Sequence, residues 1–175
     1  MENFYPLFTT NFILDIIAAH ITLGKGGGMK TNLANGQILK RMFTLGTAWL
    51  EKSAPEINAI NVFPVPDGDT GTNMLLTMHS AMEEAKQNTD SDASSVAQSM
   101  AYGALMGARG NSGVILSQFW RGLARGLEGK SSFNGKDFAL ALTEASQVAY
   151  EGIVHPVEGT MLTVLRDAAK AAEEA

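Results

Sequence analysis

The chain has 175 residues, a length that suits one globular domain with a sizeable core. A formal net charge of -5 argues against a nucleic-acid partner, because nucleic-acid-binding domains carry a basic patch. The absence of cysteine excludes disulfides, thiolate metal sites and a cysteine nucleophile, and it fits a cytoplasmic location.

Residues 1–28 differ in character from the rest of the chain. They include an apolar stretch, but Asp15 interrupts it, and a charge at mid-bilayer costs about 2.5–3.5 kcal/mol, so no stable membrane insertion is expected. Glu2 stands where a signal peptide would carry basic residues. We interpret residues 1–28 as a non-native leader that precedes the true start at Met29, and residues 29–175 as the domain.

Helical periodicity dominates from Gly36 onward. Apolar residues recur at spacings of three and four in six segments, of which the first is expected to end near Pro55. The later helices are expected to begin near Thr72, Val96, Val114, Phe138 and Thr160. No convincing strand pattern appears, and the last helix is still running at Ala175. The sequence therefore predicts an all-α fold that is incomplete at its C-terminus.

Three glycine-bearing segments each lead into the start of a helix: Asp67 to Thr72, Gly107 to Gly113, and Gly159-Thr160. Helix N-termini present unpaired N–H groups and a partial positive charge, which together favour phosphate. Three such segments in one small domain indicate a polyphosphate site. The loop that contains the first of them, Ile57 to Gly71, is unusually apolar upstream, and we expect that part to be packed into a core.

The segment Asp67-Gly68-Asp69-Thr70-Gly71 places two carboxylates on a tight turn. Magnesium is typically held by one or two carboxylates plus substrate phosphates, whereas an ordinary turn with an Asp cap is the alternative. An EF-hand is excluded because Met78 occupies the position of its final glutamate. A haloacid-dehalogenase phosphatase is disfavoured because Thr70 directly follows the second aspartate, and no Walker lysine motif is present.

The segment Gly107 to Gly113 combines three glycines with a serine. Glycines let the backbone approach a ligand closely, and the Ser112 hydroxyl could bond a phosphate. A flexible interhelical turn is the alternative. Arg109 either neutralises phosphate charge or is simply exposed. His79 is expected on a helix surface and His155 in a loop, both with structural roles.

Three motifs together resemble successive signatures of the dihydroxyacetone-kinase-like nucleotide-binding domain, in its fatty acid kinase branch. They are NVFPVPDGDTGTNM (Asn61 to Met74), GARGNSGVILSQF (Gly107 to Phe119) and HPVEGTML (His155 to Leu162). The resemblance covers about Ile38 to the C-terminus. It implies an antiparallel barrel of about eight helices that binds ATP and a pair of magnesium ions at one end.

The resemblance also implies roles for individual residues, although it assigns no catalytic residue. Asp67 and Asp69 resemble metal ligands, and Asn61 stands where dihydroxyacetone kinases have a third aspartate. The implied nucleotide-binding residues are Thr70, Thr72, Asn73, Gly110, Asn111, Ser112, Gly113, Thr160 and Met161. Among these, Gly110 to Gly113 resemble the phosphate cradle, and the last two residues resemble the adenine-side wall.

The function implied is transfer of the ATP γ-phosphoryl group to a fatty acid carboxylate that an acyl-binding partner protein presents. The fragment alone is expected to be inactive, and a homodimer through domains outside this chain is expected. Dihydroxyacetone kinases carry His where Thr70 stands, which counts against the alternative of a glycerone kinase subunit. A non-catalytic nucleotide-binding or scaffold module is the other alternative.

Overall fold

The computed structural model describes residues 33–175, so the predicted leader at residues 1–28 lies outside the described residues. The elements are β1 (Ala34–Asn35), α1 (Gly36–Ala59), α2 (Thr70–Gln87), α3 (Ala93–Met106), α4 (Gly110–Gly126), β2 (Ser132–Phe133), α5 (Gly135–Glu151) and α6 (Met161–Glu174). Six helices confirm the all-α prediction. Strands β1 and β2 form a short antiparallel pair that the sequence pattern did not indicate.

Consecutive helices run antiparallel, so their connections alternate between the two ends of the bundle. Gly71 at the start of α2 lies against Ala54 near the end of α1, and Gly110 at the start of α4 lies against Asn73 of α2. The segment that follows α5 lies against the side chain of Gln118 in α4. One end therefore carries the first loop (residues 60–69), the second loop (107–109) and the third loop (152–160).

Helices α1 to α4 form the centre of the bundle, with α5 packed on α4 and α6 on α5. The indole of Trp120 in α4 is fully buried, and its N–H donates to the sulfur of Met78 in α2 at 3.3 Å. The ring of Phe43 in α1 meets the indole edge-on, with 4.4 Å between centroids. These contacts anchor three helices on one large side chain, which is the type of burial that dominates core stability.

The opposite end of the bundle is closed by backbone hydrogen bonds. The Gly36 amide donates to Ser91 O at 2.8 Å, and the Ala93 amide donates to Ser131 O at 3.0 Å. This end carries none of the predicted site residues. Within residues 33–175, no helix combines the length and the apolar character that crossing a bilayer requires.

Three helix boundaries differ from the sequence predictions. Helix α1 continues through Pro55 to Ala59, because its last turn packs on the start of α2 and this outweighs the hydrogen bond that proline forfeits. Helix α2 begins at Thr70 and not after Thr72. Helix α4 begins at Gly110, so the Gly-Asn-Ser-Gly segment forms its first turn and is not part of a loop.

Helices α4 and α5 approach each other closely along small residues. A Cβ atom added at Gly122 would lie 2.5 Å from Ala145 Cα. At Gly46, in the middle of α1, a Cβ would meet none of the described residues within 4 Å. The two glycines therefore separate the effect of helix packing from that of intrinsic helix propensity.

We expect Gly122→Ala to lower the free energy of unfolding by about 1–3 kcal/mol, because the two helix backbones must separate. Gly46→Ala should raise it by about 0.5–1 kcal/mol, through helix propensity alone. Urea unfolding followed by circular dichroism measures both. Equal effects of the two substitutions would contradict the close α4–α5 contact.

Candidate functional site

The start of α2 is capped by a side chain from the end of α1. Asn58 Oδ1 accepts hydrogen bonds from the amides of Gly71 and Thr72, at 2.7 and 3.2 Å. Its Nδ2 donates to Thr72 Oγ1 at 2.9 Å. A side-chain oxygen that satisfies first-turn amides is the usual stabiliser of a helix N-terminus. The Thr72 hydroxyl, predicted to contact the nucleotide, is therefore bonded to α1.

Asn61 organises the first loop. Its Oδ1 accepts from the amide of Thr70 at 3.1 Å and from the hydroxyl of the same residue. Its Nδ2 donates to Val65 O at 2.8 Å. The oxygen predicted to bind metal thus already receives two donors. In this arrangement Asn61 shapes the loop that carries the carboxylates, and its role as a metal ligand stays a prediction.

Asp67 and Asp69 are both exposed at the end of the first loop, separated by Gly68 at a positive φ of 68°. Neither carboxylate has a hydrogen-bond or ion-pair partner among residues 33–175, and Asp69 does not cap α2 with its side chain. Within the same residues, no group of three or more His, Asp or Glu side chains is arranged so that it could hold a metal ion. Two unpartnered carboxylates with open space around them fit magnesium, which keeps water and phosphate oxygens in its remaining positions.

The apolar part of the first loop is exposed, so the prediction that it packs into a core is wrong. Ile60 is 75% and Val62 76% exposed, and Phe63 is also exposed. Polar bonds from Asn58 and Asn61 hold this loop in place without burial of its apolar side chains. An exposed apolar patch, Ile60 to Phe63, consequently lies beside the two aspartates.

The start of α4 is open where the start of α2 is capped. The amides of Gly110, Asn111 and Ser112 have no acceptor among the described residues, and the residue before them, Arg109, provides no side-chain cap. Unpaired N–H groups at the positive end of a helix dipole form an anion-binding site. Of these two neighbouring helix starts, α4 is therefore the one that can receive phosphate.

The starts of α2 and α4 are in direct contact. Gly110 has a φ of 56°, and a Cβ atom on it would lie 2.3 Å from Asn73 Nδ2. The Ser112 side chain is buried, and its hydroxyl donates to Thr70 O at 3.2 Å. This hydroxyl therefore joins two helices, which corrects the prediction that it faces a phosphate.

Gly113 is buried against α2 and does not face the open end. A Cβ atom on it would lie 2.4 Å from Thr77 Oγ1. The fully buried Thr77 hydroxyl donates to Asn73 O at 2.8 Å and accepts from the Arg109 amide at 3.3 Å. The prediction that phosphate approaches the chain at Gly113 is not supported by this packing. Thr77 was missed because a lone hydroxyl in an apolar stripe gives no distinctive pattern.

Thr160 and Met161 stand at the start of α6, on the α5 side of α4. Thr160 Oγ1 accepts from the Leu162 amide at 3.3 Å and donates to Val157 O at 2.8 Å, which confirms a helix start here. Met161 is half-buried and packs on the core. Helix α6 packs on α5, and α5 packs on α4.

Two surface grooves contain none of the predicted metal or nucleotide ligands. One, of about 270 Å³, lies on α2 and α3, where Arg109 stands near Glu83 and Glu84. The other, of about 350 Å³, lies between α5 and α6. His79 and His155 are both exposed, as expected for the former. The candidate site is therefore an open surface formed by the ends of helices.

Comparison with known proteins agrees with this arrangement. A family model described as "DAK2 domain" matches residues 64–175. The chain is 46% identical to "Protein YloV" of Bacillus subtilis (strain 168) over 144 residues, which are 82% of this chain and 26% of that protein. It is 46% identical to "Uncharacterized protein SAB1090" of Staphylococcus aureus (strain bovine RF122 / ET3-1) over 140 residues, or 80% and 26%. The chain thus spans about a quarter of these curated relatives.

We expect Asn58→Ala to lower the free energy of unfolding by about 0.5–2 kcal/mol, because two amides of α2 lose their acceptor. Asn58→Asp keeps both acceptor bonds and loses only the donor to Thr72, so it should cost less. Urea unfolding of the two variants gives the comparison. If Asn58→Asp lowers the free energy of unfolding as much as Asn58→Ala does, the carbonyl oxygen of Asn58 is not the group that caps α2.

Proposed function

Because the chain belongs to the DAK2 domain family and is a nucleotide-binding, kinase-like module, we propose that it holds Mg-ATP at the end of the bundle that carries the three loops. One observation carries the proposal. The unpartnered carboxylates of Asp67 and Asp69 stand on the loop that enters α2, and the start of α2 is in contact with the uncapped start of α4. In a metal–phosphate ligand, the cation can pair with the two carboxylates and the phosphate can accept from the open amides of α4.

In this proposal the ligand is divided among three elements. Asp67 and Asp69 hold the metal, the amides of Gly110 to Ser112 hold phosphate oxygens, and the start of α6 lies next to the nucleoside. Magnesium, when bound, supplies positive charge that neutralises the phosphates. The protein contributes orientation and fixed N–H dipoles, which provide most of the catalysis in phosphoryl transfer.

We propose the carboxylate of a fatty acid as the phosphoryl acceptor. A carboxyl group with a pKa of about 4–5 is already ionised at neutral pH, so its phosphorylation requires no general base. This agrees with the composition of the first loop, since residues 60–69 contain no histidine. A hydroxyl acceptor such as dihydroxyacetone would need a proton acceptor close to the metal.

The exposed patch Ile60 to Phe63 supports a protein as the carrier of this acid. Contiguous apolar side chains next to a charged site are typical of a surface that another protein covers. A partner that carries the fatty acid would bring its carboxylate to the aspartates by packing on this patch. The proposal places both proteins in the cytoplasm, where ATP is present.

Phosphoryl transfer is to be tested with the full-length protein, since this chain spans about a quarter of its relatives. Mg-ATP and a fatty-acid-loaded partner should yield an acyl phosphate, which hydroxylamine converts to a hydroxamate and phosphate. Tight ATP binding with no hydroxamate from any carboxylic acid would instead favour a non-catalytic nucleotide-binding module.

We expect Asp67→Asn and Asp69→Asn each to weaken ATP binding in the presence of magnesium by at least about tenfold, or 1.4 kcal/mol. Without magnesium, the variants should bind ATP no more weakly than the unaltered chain, because the carboxylates act through the metal. Glu128→Gln, which removes an exposed charge at the opposite end, is the control. Calorimetry with and without magnesium measures the ATP affinity of each protein. Unchanged magnesium dependence in the Asp67→Asn/Asp69→Asn double variant would disprove the metal assignment.

We expect Gly110→Ala to weaken Mg-ATP binding on the order of tenfold, because the new methyl group displaces Asn73 and misplaces hydrogen bonds to a charged ligand. Gly129→Ala is the matched control. Gly129 also has a positive φ, of 72°, but no described atom lies within 4 Å of its added Cβ. Both variants carry the same type of backbone strain, so only loss of affinity at Gly110 supports the α4 assignment. Equal affinities would remove the start of α4 from the site.

A further inference from the structure

The third loop (residues 152–160) buries few of its side chains. Val154 is 88% exposed, and most of residues 152–160 are exposed as well. The loop nevertheless leads into Thr160 and Met161, which begin α6. They stand at the end of the bundle that carries the three loops, which we call the functional end. A segment with so few apolar contacts needs polar bonds to adopt one conformation.

One carboxylate in the loop receives three donors. Glu158 accepts from the hydroxyl of Thr163 at 2.7 Å, from Arg166 Nη1 at 2.7 Å and from the hydroxyl of Tyr150 at 3.1 Å. Tyr150 belongs to the last turn of α5, whereas the other two donors belong to α6. Glu158 therefore connects the loop to both of the helices that flank it.

The same cluster fixes the turn immediately before α6. The Gly159 amide donates to Thr163 Oγ1 at 2.8 Å, and this hydroxyl in turn donates a hydrogen bond to Glu158. Gly159 adopts a φ of 81°, in the left-handed region that favours glycine. The result is a closed ring of bonds around residues 158–163, with Thr160 and Met161 inside it.

The charge state of the cluster favours the hydrogen bonds that Glu158 accepts. The hydrogen bond from Thr163 lowers the pKa of the Glu158 carboxyl, and those from Arg166 and Tyr150 lower it further, against a smaller opposing effect of desolvation. Burial, together with the hydrogen bond to Glu158, raises the pKa of the Tyr150 phenol. At neutral pH the cluster therefore comprises an ionised carboxylate, a neutral phenol and a guanidinium.

We infer that Glu158 is a positioning residue for the nucleoside half of the Mg-ATP site: its carboxylate fixes the start of α6 without touching the phosphates. This inference rests on the proposed function. The order of packing supports it, because α6 packs on α5 and α5 packs on α4, whose first turn carries the phosphate-binding amides. In the proposed arrangement the phosphates lie over the α4 start, and the nucleoside lies next to Met161 and Val157, the latter of which is 37% exposed. Arg166 neutralises Glu158, so the carboxylate does not repel the ligand.

The test compares two ligands on the full chain, Mg-ATP and magnesium tripolyphosphate, by calorimetry. Glu158→Ala should raise the Kd for Mg-ATP by about tenfold, the lower bound for removing a residue that orients direct ligands. The Kd for tripolyphosphate should not change, because this ligand has no nucleoside. Glu158→Gln keeps the shape and an acceptor oxygen, so it should restore part of the affinity for ATP.

Glu173→Ala is the matched structural control. Glu173 accepts from the Thr143 hydroxyl at 2.7 Å, so it also joins α6 to α5 through one carboxylate, near the other end of α6. This variant should lower the melting temperature as Glu158→Ala does, yet bind both ligands normally. The control thus distinguishes loss of helix packing from loss of loop position.

Each other outcome has a distinct meaning. Unchanged ATP affinity in Glu158→Ala, or equal losses for ATP and tripolyphosphate, would overturn the positioning role while the proposed function stands. The same selective loss in Glu173→Ala would show that α6 packing in general is responsible, and this too would overturn it. If the unaltered chain binds neither ligand, the proposed function fails, and this inference fails with it.

Discussion

The close approach of the first turns of α2 and α4 determines what the functional end of this bundle can do. A side chain at Gly110 would collide with Asn73, and the hydrogen bond from Ser112 to Thr70 O holds the two turns together. This contact brings an acidic turn next to a helix start with open amides. Each feature alone is common in proteins. Together they provide the opposite partial charges that a metal–polyphosphate ligand requires.

The starts of α2 and α4 differ because side chains from outside the helix cap α2, whereas the start of α4 has no side-chain cap among the described residues. An aspartate just before a helix ordinarily caps that helix with its own carboxylate. Here Asn58 and Asn61 satisfy the first amides of α2, which leaves the Asp69 carboxylate unpartnered among the described residues. The chain thus caps α2 with neutral amides and leaves the two carboxylates without a partner among residues 33–175. Among the described residues no side chain caps the start of α4, so its first amides remain open.

The functional end also differs in how firmly its parts are held. Helices α1, α2 and α4 converge on the buried Trp120, so the helices that carry the α2 and α4 starts are packed in the centre of the bundle. The third loop lies at the edge of the bundle. There, the hydrogen bonds that Glu158 accepts hold the loop in place of apolar core contacts. Such an arrangement suits a site that fixes phosphates precisely and orders the rest of its ligand through a few polar contacts.

The sequence by itself determined the six helices, the three loops that enter helix starts and the Asp67–Asp69 pair, because these depend on local periodicity and on residues close in the chain. Only the tertiary structure decided which polar groups remain open. The sequence around a serine does not show whether its hydroxyl faces a ligand or a carbonyl oxygen. The acceptor of the Ser112 hydroxyl, Thr70 O, lies 42 residues away in the chain. Likewise, Gly113 is a packing glycine only because Thr77 of another helix lies against it. Contacts between distant residues are set by helix packing, which no local pattern encodes.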